Sequence, residues 1–181
     1  MKRMIAMLAL AITATTAQGQ GVELKTNPFG TIFGAYNVTA EFQLENKPSL
    51  TVLGSAWYNT PAFKDWFWVD RDGGLSAGVR QYFNNYEDQG VFLGLATRYI
   101  FNTDMGYNGY YDQNGNWITN EYSQSDNYAS LGFTLGYKYI YNHKITVDAF
   151  IGGGRILWNQ AENNWRGPAE FISGLNFGYR F

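Results

Sequence analysis

From residue 21 onward, apolar and polar residues exchange places at every second position, the period of a strand with two unlike faces. Over Gly90–Phe101, Val91, Leu93, Leu95, Thr97, Tyr99 and Phe101 share one face, and Phe92, Gly94, Ala96, Arg98 and Ile100 share the other. Over Tyr128–Tyr141, a face of Leu131, Phe133, Leu135, Tyr137, Tyr139 and Tyr141 opposes Ser130, Gly132, Thr134, Gly136 and Lys138. Residues 74–83 set Leu75, Ala77, Val79 and Phe83 against Ser76, Gly78, Arg80 and Tyr82, and the chain ends with Phe171, Leu175, Phe177, Tyr179 and Phe181 opposite Gly174, Asn176, Gly178 and Arg180. Earlier segments are rougher: Tyr36, Val38, Ala40, Phe42 and Leu44 face away from Asn37, Thr39, Glu41 and Gln43, and Val22 and Leu24 oppose Glu23, Lys25 and Asn27. Residues 50–57 alternate poorly, with Leu53 on the polar phase. In residues 145–156, Phe150 shares the polar phase with Asp148 while Arg155 stands on the apolar one, and Gly152-Gly153-Gly154 between them predicts a bulge or bend.

Several runs reach ten to fourteen residues, whereas globular strands cluster near about five or six and a tilted strand needs ~9–11 to cross a bilayer. Short turns rich in turn-forming residues (44–49, 84–89 and 142–144) alternate with long polar segments rimmed by aromatics (58–72, 102–127 and 159–168). That rhythm predicts an all-β chain folded as a transmembrane antiparallel up-and-down β-barrel of about eight strands, short turns and both termini on the periplasmic side, long loops outside. The connection at 29–35 is short for an outer loop. Asn114-Gly115 predicts a type I′ turn joining 107–113 to 116–122 as a ribbon projecting from the barrel. Entry of that hairpin into the wall would make ten strands instead, and its polar content argues against a lipid-facing pair.

The first residues read as an export signal: Lys2 and Arg3, an apolar run from Met4 to Thr13, and Thr15-Thr16-Ala17 as a small-residue cleavage site. The expected organisation is a signal peptide at 1–17 followed by one barrel domain at 18–181. The apolar run is too short to cross ~30 Å as a helix, and no later segment offers the ~20 apolar residues that would. There is no Cys among the 181 residues, which removes disulfides, lipidated Cys anchors, Cys-ligated metals and Cys nucleophiles. Charged residues are only 15% and aromatics 18%, against roughly 25% charged in soluble domains. The net charge of −2 with scattered cations argues against nucleic-acid binding.

Alternation alone does not say which face is inside, and a secreted lipocalin-like barrel would hide the apolar one. The polar phase here is mostly Gly, Ser, Ala, Thr and Asn with about one charge per strand, a poor soluble surface but a good filling for a narrow barrel. The expected lumenal cluster is Lys25, Arg80, Arg98, Lys138 and Arg180 against Glu23, Glu41 and Asp148; buried charges of this kind must be paired. Such a cluster is either a structural polar core or a narrow ion path. Trp57, Tyr58, Trp66, Phe67, Trp68, Trp158 and Trp165 are expected near one rim and Tyr82, Phe83, Tyr86, Tyr139 and Tyr141 near the other, as aromatic girdles.

The alternating aromatics Phe177, Tyr179 and Phe181 at the C-terminus resemble the assembly signal of outer-membrane proteins. The region from 21 to 181 is similar in pattern to the small Gram-negative outer-membrane barrels of the OmpA-like and OmpX-like group and related uncharacterised bacterial barrels. That resemblance implies a cell outer-membrane location, contact with lipid and lipopolysaccharide, and insertion by the barrel-assembly machinery.

Barrel enzymes of that membrane use a His near the outer rim, where it can shuttle a proton. The single His, His143, falls in the tight turn at 142–144, on the expected periplasmic side, so no enzyme activity and no cofactor is expected. Asp112-Gln113-Asn114-Gly115-Asn116 fails as a calcium loop, with Trp117 where Gly is needed and Ser123 where Glu is needed. Tyr107, Tyr110, Tyr111, Trp117 and Tyr122 among Asn, Gly and Ser have the composition of binding loops and are the expected contact surface for an extracellular ligand or surface protein. The functional expectation is a non-enzymatic barrel with a structural or surface-interaction role; a small channel and, more distantly, a lipid-modifying enzyme are the alternatives.

Overall fold

The structure, a computed structural model, describes residues 21–67, 71–83, 89–111, 114, 116–159 and 168–181. The signal peptide expected at 1–17 lies outside them. Strands form at β1 (Val22–Thr26), β2 (Ala35–Leu44), β3 (Lys47–Asn59), β4 (Gly73–Tyr82), β5 (Gly90–Phe101), β6 (Thr103–Tyr111), β7 (Trp117–Ser125), β8 (Tyr128–Tyr141), β9 (Ile145–Asn159) and β10 (Ala169–Arg180), with short helices α1 (Pro28–Ile32) and α2 (Pro61–Phe67). Eight strands close in the order β1-β10-β9-β8-β5-β4-β3-β2, all neighbours antiparallel, and β6–β7 pair only with each other. The barrel is therefore eight-stranded, with the 103–125 hairpin as a separate ribbon. Among the described residues no helix is long and apolar enough to cross a membrane.

The faces follow the period-two pattern, and the apolar phase points out. Leu75, Val79, Leu93, Leu95, Leu131, Phe133, Leu135, Ile151, Phe171 and Leu175 are exposed, while Glu23, Lys25, Glu41, Arg80, Lys138 and Asp148 are buried. This is the reverse of a barrel that stores its apolar side chains inside. The strands are as long as the alternating runs predict: β8 has 14 residues and β9 has 15.

Short connections gather at one end with Val22 and Phe181. There, Asn142 and His143 take φ of 50° and 57°, the sign a type I′ turn needs at both central positions, and Lys144 N donates to Tyr141 O at 3.1 Å. At the opposite end Asn27 caps α1 by accepting from Gly30 N at 3.0 Å, and Pro28 opens the helix where no N–H is needed. Gly34 then turns the chain back at φ 93°, a left-handed position that suits glycine.

Several local expectations are corrected. Gly152-Gly153-Gly154 runs in unbroken register against Ile172, Phe171 and Glu170, so the triplet is no bulge. The irregularity in β9 comes later, where Ala129 pairs with Trp158 and Ser130 with Ile156, leaving Leu157 unmatched. Arg155 therefore keeps the outward phase, and Phe150 and Leu53 keep the inward one. Trp57 and Tyr82 also belong inside, not to the girdles: Trp57 lies under the Arg98 guanidinium at 4.7 Å, and Tyr82 is buried against Phe92 with ring centroids 5.3 Å apart. Tyr58, Trp66 and Trp158 at one end and Phe83, Tyr139, Tyr141, Tyr179 and Phe181 at the other remain exposed. Trp68, Tyr86 and Trp165 lie outside the described residues, as does the side chain of Phe67.

Candidate functional site

Alternate residues near the short-turn end bring charge into the lumen from every side. Glu23 and Glu41 are register partners across β1–β2, and like charges placed opposite each other repel. Two lysines resolve the conflict. Lys25 Nζ lies 2.8 Å from Glu23 and 2.5 Å from Glu41, and Lys138 Nζ, reaching across from β8, lies 3.2 Å from each. Lys25 also meets Asp148 at 2.7 Å, and Arg80 spans Glu41 at 3.1 Å and Asp148 at 3.2 Å. Arg180 donates to Glu23 through Nε at 2.9 Å.

Neutral donors complete the shell: Tyr82 Oη and Thr51 Oγ1 donate to Glu41 Oε1 at 2.6 and 2.7 Å, and Asn176 Nδ2 donates to Asp148 at 3.0 Å. Phe92 backs the Arg80 guanidinium at 4.3 Å and Phe150 does so at 5.2 Å. The side chains of Glu23, Lys25, Lys138 and Asp148 have 0% exposure. Charges taken from water at this depth are tolerated because each carboxylate is held by two or more cations. The result is an ion-paired network that ties β1, β2, β4, β8, β9 and β10 together across the lumen.

A second polar layer lies nearer the long-loop end. Glu170 of β10 receives Arg98 from β5 and Ser130 from β8, and Arg71 reaches it at 3.1 Å. Arg71 also sits 6.0 Å from the Tyr128 ring. Between the layers is a cavity of about 240 Å³, with Arg80 and Arg98 in its wall among Asn37, Ser55, Ser76, Thr134 and Asn176. A space of that size is large enough for several waters.

Of the predicted lumenal residues, Lys25, Glu23, Glu41, Arg80, Lys138, Asp148 and Arg180 come together. Arg98 does not: it stands apart with Arg71, which the sequence places in the 58–72 loop, and with Glu170, which lies between the 159–168 loop and the last alternating run. Glu170 was legible in principle, since it stands two, four and six places before Ile172, Gly174 and Asn176 on the lumenal phase. Phe177 and Tyr179 of the expected assembly signal lie along β10 where it pairs with β1, and Phe181 follows it: Phe177 packs edge-on against Phe29 at 5.8 Å, and Tyr179 against Phe181 at 5.1 Å.

The ribbon carries its aromatics outward. Tyr110, Tyr111 and Trp117 are exposed, with Tyr111 edge-on to Trp117 at 4.9 Å. Tyr107 and Tyr122 fall in β6 and β7, near the middle of the register, where Tyr107 pairs with Glu121 and Gly106 with Tyr122; their side chains lie outside the description, as do Asp112, Gln113 and Gly115 of the expected turn. Among the described residues no group of three or more His, Cys, Asp or Glu is arranged to hold a metal ion.

These features define a closed eight-stranded antiparallel β-barrel with an apolar exterior and an ion-paired interior. A family model described as a protein of unknown function (DUF3575) matches residues 4–171, and the chain belongs to that family. No curated protein and no solved structure matches it.

Proposed function

We propose that this chain is a bacterial outer-membrane β-barrel, of the same build as the OmpA-like and OmpX-like group, that acts as a non-conducting structural and surface-interaction protein. The observation that carries the reading is the inversion of polarity: Leu, Val, Ile, Phe and Tyr face outward around the wall, with Arg155 the charged exception on β9, while the lumenal charges are buried and paired within. In water such an exterior is an aggregation surface far beyond the few hundred Å² a soluble monomer exposes. In a bilayer it is the expected lipid-facing band.

The closed strand circuit pairs most of the wall's backbone groups, as a spanning barrel in hydrocarbon requires, with the five-residue β1 closing the ring at the short-turn end. The layer around Glu41 fills the lumen, which favours a plugged barrel over a channel. Contacts to a ligand or surface protein then fall to the long-loop end, where the ribbon presents Tyr110, Tyr111 and Trp117. Lipid and lipopolysaccharide are the surrounding partners, and the barrel-assembly machinery reads the C-terminal strand.

Fractionation with and without boiling tests the reading. The expected result is recovery in the outer membrane with a gel mobility that changes on heating, and no discrete conductance in a planar bilayer. Recovery as a soluble periplasmic protein would overturn the membrane assignment. Discrete channels would instead keep the barrel and replace the plug by a conducting path.

A further inference from the structure

We propose that the barrel wall is open between β2 and β10 above Thr26, and that this slot seats an anionic amphiphile with a single acyl chain. The proposal rests on the membrane reading above. β1 is five residues long where its neighbours have ten and twelve. Its pairing ends at Thr26 against Phe177 on one side and at Lys25 against Thr39 on the other. Above that level, no strand among the described residues pairs with residues 169–176 of β10 on their β1 side. Adjacent strands stand about 4.8 Å apart, so the absent length of β1 leaves β2 and β10 separated by about twice that. The chain passes into α1, whose Phe29 packs against Phe177 at the foot of the space, and among the described residues Asn37 Nδ2 reaches across from β2 to Asn176 Oδ1 of β10 at 3.2 Å.

The slot joins two spaces of opposite character. The lumenal cavity and a groove on the outer face share Asn27, Phe150, Ser173 and Gly174 in their walls. Outside, the groove continues over Leu135, Ala149, Ile151 and Leu175, a surface for an acyl chain. Inside, the charged groups in the cavity wall are Arg80 and Arg98, already paired with Glu41, Asp148 and Glu170. The two layers together, however, set Lys25, Arg71, Arg80, Arg98, Lys138 and Arg180 against Glu23, Glu41, Asp148 and Glu170, a cationic excess that a carboxylate or phosphate head complements. An unpaired strand edge in hydrocarbon is tolerated where it lines a polar cavity, which is where this edge lies. The width of one missing strand suits a single chain.

The test reconstitutes the chain, purified from membranes, into phosphatidylcholine vesicles with 16-doxylstearate at about pH 9, where a carboxyl is ionised. Electron paramagnetic resonance should show a motionally restricted fraction in stoichiometric excess over that seen with 16-doxyl-phosphatidylcholine or with the neutral methyl ester of the same probe. Ala35→Trp, which fills the cavity beside the slot, should abolish the excess; Ser173→Trp serves the same end at the outer lip, each checked for folding by its heat-dependent mobility. Unlabelled laurate and lysophosphatidylglycerol, added in turn, should displace the probe and rank the two head chemistries. Equal restriction of all three probes, or an excess that persists in the folded tryptophan variants, overturns the slot. Failure of the chain to float with the vesicles would instead sink the membrane reading beneath it.

Discussion

Replacing Glu41 by Gln removes one charge from the centre of the lumenal ion-pair network and almost nothing else. Glu41 oxygens lie 2.5, 3.1 and 3.2 Å from Lys25, Arg80 and Lys138. Gln keeps an oxygen to accept from Tyr82 and Thr51, so the substitution isolates the charge. Breaking a buried pair by removing one partner costs about 3–5 kcal/mol. Each cation retains another carboxylate: Lys25 keeps Glu23 and Asp148, Arg80 keeps Asp148, and Lys138 keeps Glu23. The lower end, about 3 kcal/mol, is therefore expected.

With a urea slope of about 2 kcal/mol per molar, the unfolding midpoint should fall by about 1.5 M. The assay follows the folded and unfolded gel bands of the reconstituted barrel across urea. The double variant Lys25→Met/Glu41→Gln should lose less than the two single changes combined, because it removes a cation with its anion. A midpoint change in Glu41→Gln below about 0.25 M, equivalent to the ±0.5 kcal/mol of an ordinary surface change, would refute the argument. It would mean that water, not the opposing side chains, balances these charges.

Two further outcomes follow from the fold. Replacing residues 103–125 by a short glycine-rich link should leave a barrel that still shows heat-dependent mobility, since β6 and β7 pair only with each other and Asp126 N already meets Asn102 O at 2.9 Å at the ribbon's base; loss of the folded band would contradict this. The glycine triplet should respond by face: a Cβ on Gly152 would stand 2.0 Å from Phe133 O, whereas one on Gly153 would have Glu170 O at 3.6 Å. In the same urea assay, Gly152→Ala should cost about 1–3 kcal/mol, and Gly153→Ala should lie within about 0.5 kcal/mol of the parent.

Strand identity, strand direction and the assignment of faces were legible because the period of two is enforced at every residue, so a long run gives many independent votes. The eight-stranded closure was legible from the alternation of short and long connections. Irregular positions were not. Gly152-Gly153-Gly154 suggested a bulge because glycine is permissive, yet here it serves close packing against β8, and the true register shift occurs at Leu157, where composition gives no sign. Trp57 and Tyr82 looked like rim residues because sequence reports height along a strand more readily than it reports a ring turned inward to cover Arg98 or Lys138. Arg98 was grouped with the other lumenal charges because phase says which residues point inward and says nothing of depth along the barrel axis. Two residues that share the inward phase can stand in separate layers, as Arg80 and Arg98 do.

The pairing of β1 with β10 brings together the first and last strands of the described chain, over only four residue pairs. Backbone hydrogen bonds alone would accept a neighbouring register there almost as well. A slip of one residue, however, would turn Glu23 and Lys25 outward, away from Arg180, Glu41 and Asp148, and in a membrane each lysine or arginine so displaced costs about 2–4 kcal/mol at mid-depth. The interior charges thus act as a combination that opens to one alignment: the cylinder seals correctly or separates Lys25 and Arg180 from their carboxylates. Read this way, the ionic core discriminates among ways of closing, and the short first strand is sufficient because its side chains carry the discrimination that its length does not.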